Sequence, residues 1–193
     1  MAKKPELTVL TIGHSTKTLP EFIEMLKTYR VTLVIDVRSV PRSRHNPQFN
    51  KETLPNVLKL KGINYVHMPE FGGLRRPKPN SVNTAWRNKS FRGYADYMQT
   101  KAFIEQLFNL MALARKDCVA IMCAEALPWR CHRSLIADAL AVRNVRVEHI
   151  VSKDNKIRHT LTEWAHVEGK KITYPLFTKE TPQRMLGDFG PST

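Results

Sequence analysis

The chain has 193 residues, 42% of them hydrophobic, and no stretch approaches the roughly 20 apolar residues of a membrane span, so one globular domain with a full core is expected. Its 31 Lys and Arg against 17 Asp and Glu give a net charge of +14 and a pI near 10.0, and thirteen basic but only three acidic residues lie between Arg38 and Lys101. That excess favours anionic partners, whether nucleic acid, nucleotide or phosphorylated metabolite, although a merely solubilising surface has the same composition.

Three cysteines without paired short spacings argue for reduced thiols instead of a disulfide framework. The basic start, Met1 to Pro5, is followed by a strand pattern and no cleavage pattern, so a cytoplasmic protein is expected.

Leu7 to Ile12 is apolar and β-branched and runs into Gly13-His14-Ser15, a buried strand entering a loop. Thr18-Leu19-Pro20-Glu21 has capping-box spacing, and Phe22, Met25, Leu26 and Tyr29 recur on one helical face. Val31 to Val37 reads as a strand covered on both faces and ends at Asp36, Arg38 and Ser39. A basic loop, 41–50, leads to a short helix around Leu54 to Lys61 and a third strand, Ile63 to His67.

Residues 71–92 have no periodicity and mix Arg and Lys with Trp86 and Phe91. Such a segment is too long for a simple connector. It reads either as a stacking groove for single-stranded nucleic acid or as a loop anchored to the core by its aromatics. Helices are expected over Tyr94 to Met98 and after Thr100, a fourth strand over Cys118 to Cys123, a helix over Leu127 to Val142 and a fifth strand over Val145 to Val151. A last helix is expected around Thr160 to Val167, and residues 169–193 read as an extended or poorly ordered tail.

Strands alternating with helices imply an α/β fold: a single domain over residues 1–168, with a mainly parallel five-stranded sheet, helices on both faces and a Rossmann-like three-layer arrangement. In such sheets ligands bind at the strand carboxyl ends. Four polar clusters fall there: His14, Asp36 with Arg38, His67 to Glu70, and Cys123 with Glu125, which the next helix start joins with His132 and Arg133.

Cys123 closes an apolar strand before a helix start, a setting that lowers a thiol's pKa; its alternative is a small buried hydrophobe. Cys131 reads more readily as a packing residue. Glu125 suits a proton carrier or a salt bridge, and His132 an acid, a base or a core histidine. Arg133 suits a bidentate clamp on an anion. Cys-x7-Cys-His matches no compact zinc spacing, so metal is not favoured, and neither Gly13 nor Gly72-Gly73 forms a dinucleotide fingerprint or P-loop, which leaves the cofactor open.

TIGHS (11–15), IDVRSVPRS (35–43), FGGLRRP (71–77), FRGYADYM (91–98) and CAEALPWRCHR (123–133) together resemble the family catalogued as domain of unknown function 488, across roughly residues 7–168. The resemblance implies one shared constellation of His14, Asp36, Arg38, Gly73, Arg75, Tyr94, Cys123, Glu125, Cys131, His132 and Arg133. A fainter likeness links Asp36 to Arg38 and Cys123 to the rhodaneses, which implies sulfur transfer. The loop after Cys123 departs from that family's tight anion cradle, being long, proline-bearing and without glycine.

The expectation is an enzyme that acts on an anionic small molecule or nucleic acid at the carboxyl edge of the sheet. Cys123, Glu125 and His132 would be catalytic, and His14, Asp36, Arg38, Arg75, Tyr94 and Arg133 would hold the substrate. The alternative is a nucleic-acid-binding module without catalysis.

Overall fold

A computed structural model of the chain describes residues 6–176. The first part runs β1 (Thr8–Gly13), α1 (Leu19–Thr28), β2 (Leu33–Asp36), α2 (Leu54–Leu60), β3 (Asn64–His67), α3 (Lys89–Tyr97) and α4 (Lys101–Ala114). It continues through β4 (Val119–Cys123), α5 (Arg133–Ala141), β5 (Arg146–Ile150), β6 (Lys156–Arg158), β7 (His166–Glu168) and β8 (Lys171–Thr173). The main sheet has the order β3-β2-β4-β1-β5-β6, parallel except for β6, which pairs antiparallel with β5. β7 and β8 form a separate antiparallel hairpin.

The apolar runs of β1, β2 and β4 are continuous because both faces of these strands are covered. Val9, Leu33, Ile35, Val119, Ile121 and Cys123 face the layer of α3, α4 and α5, packing with Tyr94, Phe103, Leu107 and Leu135. Leu10, Ile12, Val34, Ala120 and Met122 face Phe22 and Leu26 of α1 and Leu54 and Leu58 of α2. Full burial of one such side chain contributes about 1.5–3 kcal/mol. The period of two therefore aims the last residue of β4, Cys123, at the face where α5 begins.

α1 begins with the expected capping box, Thr18 and Glu21 satisfying each other's backbone N–H. The segment from 72 to 88 is irregular, but it is tied to α3: Asp96 accepts from Lys78 N–H, the Ser81 hydroxyl and the Asn83 amide. Gly93 lets it pass close, since a Cβ there would lie 2.5 Å from the Arg76 carbonyl carbon. Trp86 packs against Phe91, Trp164 and Tyr174, and Arg75 stacks on Tyr97 at 3.8 Å. These aromatics anchor the segment to the core.

Four expectations need correction. The sheet has a sixth strand, β6, whose three residues are all exposed and too few to carry a period. The helix expected from Leu127 starts only at Arg133: Pro128–Arg130 makes a single 3-10 turn, and Cys131 is extended (φ −131°, ψ 145°). No helix forms over 160–167, because Thr162 gives its N–H and hydroxyl to Asp138 and β7 begins at His166. Within the stretch expected as a tail, β8 forms and Ile172 and Tyr174 are buried; residues 177–193 lie outside the described residues.

Asp138, fully buried on α5, is the tether for that last stretch. It accepts from His159 Nε2 at 2.9 Å and from the hydroxyls of Thr162 and Tyr174 at 2.7 and 2.8 Å. The acceptor fixes the tautomers down the line: His159 Nδ1 receives His149 Nε2–H at 3.0 Å, and His149 Nδ1 receives the Thr11 hydroxyl at 2.8 Å. Burial, reinforced by His159, lowers the pKa of His149 from 6.5 to about 3. The unfolded chain thus binds a proton below pH 6.5 that the folded chain refuses until about pH 3, so stability falls as pH drops through that window. In His149→Gln the urea midpoint should decline less steeply between those pH values, although the variant starts lower at neutral pH by about 1 kcal/mol for its lost hydrogen bonds.

Candidate functional site

β1 and β4 are neighbours, and their carboxyl ends are in register, Gly13 beside Cys123. The pairing continues past the sheet: His14 N–H donates to Cys123 O at 3.0 Å and Ser15 N–H to Ala124 O at 2.8 Å. The loop after β4 then folds down over β1, and only glycine fits beneath it, because a Cβ on Gly13 would lie 2.0 Å from Glu125 O. Ser15 lies in the left-handed region (φ 47°), a strained position for a residue other than glycine.

The first turn of α5 holds this loop in place. Arg133, 1% exposed, donates through Nη2 to the carbonyls of Glu125 and Ala126 and through Nε to Cys131 Sγ at 3.4 Å. His132 Nε2 lies 3.2 Å from Val37 O, which can only accept, so Nε2 carries the ring proton. In the neutral ring Nδ1 then presents a lone pair, 3.8 Å from Cys131 Sγ. Gly73 covers the ring so closely that a Cβ would sit 2.5 Å from Nδ1, and Tyr94 backs it at 5.2 Å between centroids.

Cys123 and Cys131 form one coupled pair. The hydrogen bond from the Cys123 thiol, then the charge of Arg133, hold the Cys131 thiol well below the usual range. The same hydrogen bond and burial push Cys123 well above it. Of the two thiols, Cys131 is therefore the more acidic and Cys123 the less.

At the end of β2, Asp36 is fully buried and receives the backbone N–H of Arg38, two of its guanidinium nitrogens and the Tyr65 hydroxyl at 2.7 Å. Arg38 also donates to Phe49 O at 2.7 Å and to His14 Nε2 at 3.2 Å. His14 Nδ1 meets Ser15 O at 2.9 Å and its ring stacks on Phe49, so both nitrogens are engaged. Burial lowers its pKa to about 4 and keeps it neutral. Arg38 has five N–H groups, and these contacts use four.

A cavity of about 570 Å³ opens over this edge, lined among others by Cys123, Cys131, His132, Arg38, Ser39 and Arg130. Of the residues singled out from sequence, Cys123, Glu125, His132 and Arg38 border it, and His14 borders an adjoining hollow. Glu125 is exposed, its carboxylate accepting Leu127 N–H at 3.2 Å.

The other four lie outside the cavity's lining. Asp36 lies under Arg38, Tyr94 donates to Phe71 O at 2.9 Å, and Arg75 donates to Gly72 O and Glu70 O at 3.1 and 2.6 Å. Arg133 is a strut between loop and sulfur, not a clamp open to a ligand. Cys131, read from sequence as packing, is buried in the core and is also the more acidic thiol of the pair. The run Cys131-His132-Arg133 at a helix start was the signal for it.

The buried pair at β2 makes a distinction measurable. Asp36→Asn should cost about 3 kcal/mol in urea denaturation, since it strips Arg38 of its counter-charge, whereas Tyr65→Phe should cost only about 1 kcal/mol.

A family model described as "Domain of unknown function DUF488" matches residues 18–140, and neither a curated protein nor a solved structure matches the chain. The matched region runs from the cap of α1 to the body of α5 and so contains β2, β4, the 71–92 segment and the sulfur pair. With more than half of its length matched, the chain belongs to the DUF488 family.

Proposed function

We propose that the protein is an enzyme acting on an anionic substrate, a nucleotide, nucleic acid or other phosphorylated compound, at the carboxyl edge of its sheet. The observation that carries this reading is the meeting, in one cavity, of a polarised sulfur and imidazole centre with cationic donors. Cys123, Cys131 and His132 border the same 570 Å³ space as Arg38 and the exposed Arg130. The remaining N–H of Arg38 and the guanidinium of Arg130 would hold the anion, aided by the Ser39 hydroxyl. The reacting group would face the sulfur and imidazole centre, with the exposed Glu125 as a proton carrier at the rim. The basic excess between Arg38 and Lys101 raises the local concentration of such substrates.

Titration with inorganic phosphate, nucleoside phosphates and a short oligonucleotide at rising salt tests the reading. At least one should bind, and Arg130→Ala should weaken it roughly tenfold, the loss of about one charge-assisted hydrogen bond. Cys131→Ser should keep binding and lose turnover of the bound compound. Absence of any phosphate-bearing ligand at low salt would sink the proposal. Steep log-linear salt dependence for the oligonucleotide, unmoved by Arg130→Ala and without turnover, would point to a binding module.

A further inference from the structure

The geometry points to a zinc-type metal site made by Cys123, Cys131 and His132, with its fourth position open to the cavity. Their ligand atoms all lie within 4.8 Å of one another, and Cys131 Sγ and His132 Nδ1 are already 3.8 Å apart. Tetrahedral zinc with bonds of about 2.3 Å to sulfur and 2.0 Å to nitrogen brings such donors to roughly 3.5–3.8 Å from each other, so a small inward movement completes the site.

The surroundings support the same assignment. A metal-binding histidine commonly gives its other ring N–H to a backbone carbonyl, which fixes the tautomer and ring orientation. His132 has this arrangement, with Nε2–H on Val37 O and the Nδ1 lone pair turned to the sulfurs. Arg133 Nε–H donates to Cys131 Sγ, as outer-shell donors do to metal-bound thiolates. Both sulfurs are buried, yet all three residues border the cavity, which fits three protein ligands and one exchangeable position.

Spacing rules for zinc describe ligands set on one tight turn, and Cys-x7-Cys-His fails them. Here the ligands come from the end of β4 and the residues leading into α5, which the sheet and Arg133 bring together. The soft pair of sulfurs with one imidazole selects a zinc-like ion over magnesium or calcium. The open position would take a water or a substrate oxygen, and that last role alone rests on the enzymatic reading above.

The test uses the full chain, reduced and stripped by a chelator, with cobalt(II) as the optical probe. One cobalt per chain should bind, with thiolate-to-cobalt charge-transfer absorption and the intense visible bands of a four-coordinate site, and zinc should displace it. Cys118→Ser, which alters the cysteine preceding β4 at its far end, should leave the spectrum unchanged, while Cys123→Ser and Cys131→Ser should each remove charge-transfer intensity. His132→Ala should weaken binding by at least the roughly 10–100-fold that loss of an outer-shell partner costs.

If those variants do not fold, the unaltered chain still decides. Zinc should slow alkylation of Cys131 and Cys123 by iodoacetamide at least about tenfold, and leave Cys118 unprotected. No thiolate-to-cobalt band, a band that survives in folded Cys123→Ser and Cys131→Ser, or alkylation of Cys131 at the same rate with and without zinc would each overturn the site. Metal binding without any phosphate ligand would leave this site standing and defeat the anionic-substrate reading; phosphate-ligand binding by a chain that gives no thiolate-to-cobalt band would do the reverse.

Discussion

A guanidinium removed from water must find acceptors for its N–H groups, and Arg133 finds them in the carbonyls of Glu125 and Ala126 and in the sulfur of Cys131. One side chain thereby fixes the path of the loop over Gly13 and the start of α5, and favours ionisation of the sulfur pair. The loop can lie so low only because Gly13 has no side chain, and α5 can start so late only because Cys131 remains extended. Without this cation the Cys131 sulfur would lose its N–H donor, and without that sulfur the cation would keep only backbone acceptors.

The second wall of the cavity obeys the same logic at β2, where Arg38 is paired to Asp36 and spends further donors on Phe49 O and His14. Two arginines that look alike in sequence therefore differ in what they retain. Arg38 faces the cavity with one N–H in reserve, and Arg133 does not face it. The third wall is the irregular segment beyond β3, which approaches His132 through Gly73 and is held by its contacts with Asp96.

Much of this was legible in the chain itself. Apolar runs gave the parallel strands, and the rule that function gathers at their carboxyl ends brought His14, Arg38, Cys123 and His132 to one edge. The period of two aims Cys123 at the α5 face without any structure. What escaped were choices made by distant partners. Tyr94 donates to the Phe71 carbonyl 23 positions away, a bond no local pattern announces. The line from Thr11 to His149 joins residues 138 positions apart and leaves no local pattern. Cys131 looked like filler because its lowered pKa depends on Cys123, which local spacing does not bring into contact. β6 and the end of the expected last helix were lost because three-residue strands and single threonines carry too little periodicity.

The two margins of the main sheet have a consequence for life at high concentration. β3 offers four residues before its chain turns at Pro69, and β6 offers three, two of them cationic. Neither presents a long flat row of backbone donors and acceptors, and the exposed Arg158 of β6 repels a second copy of itself. Such edges give an incoming strand little to pair with, which guards a parallel sheet against growing from one molecule into the next.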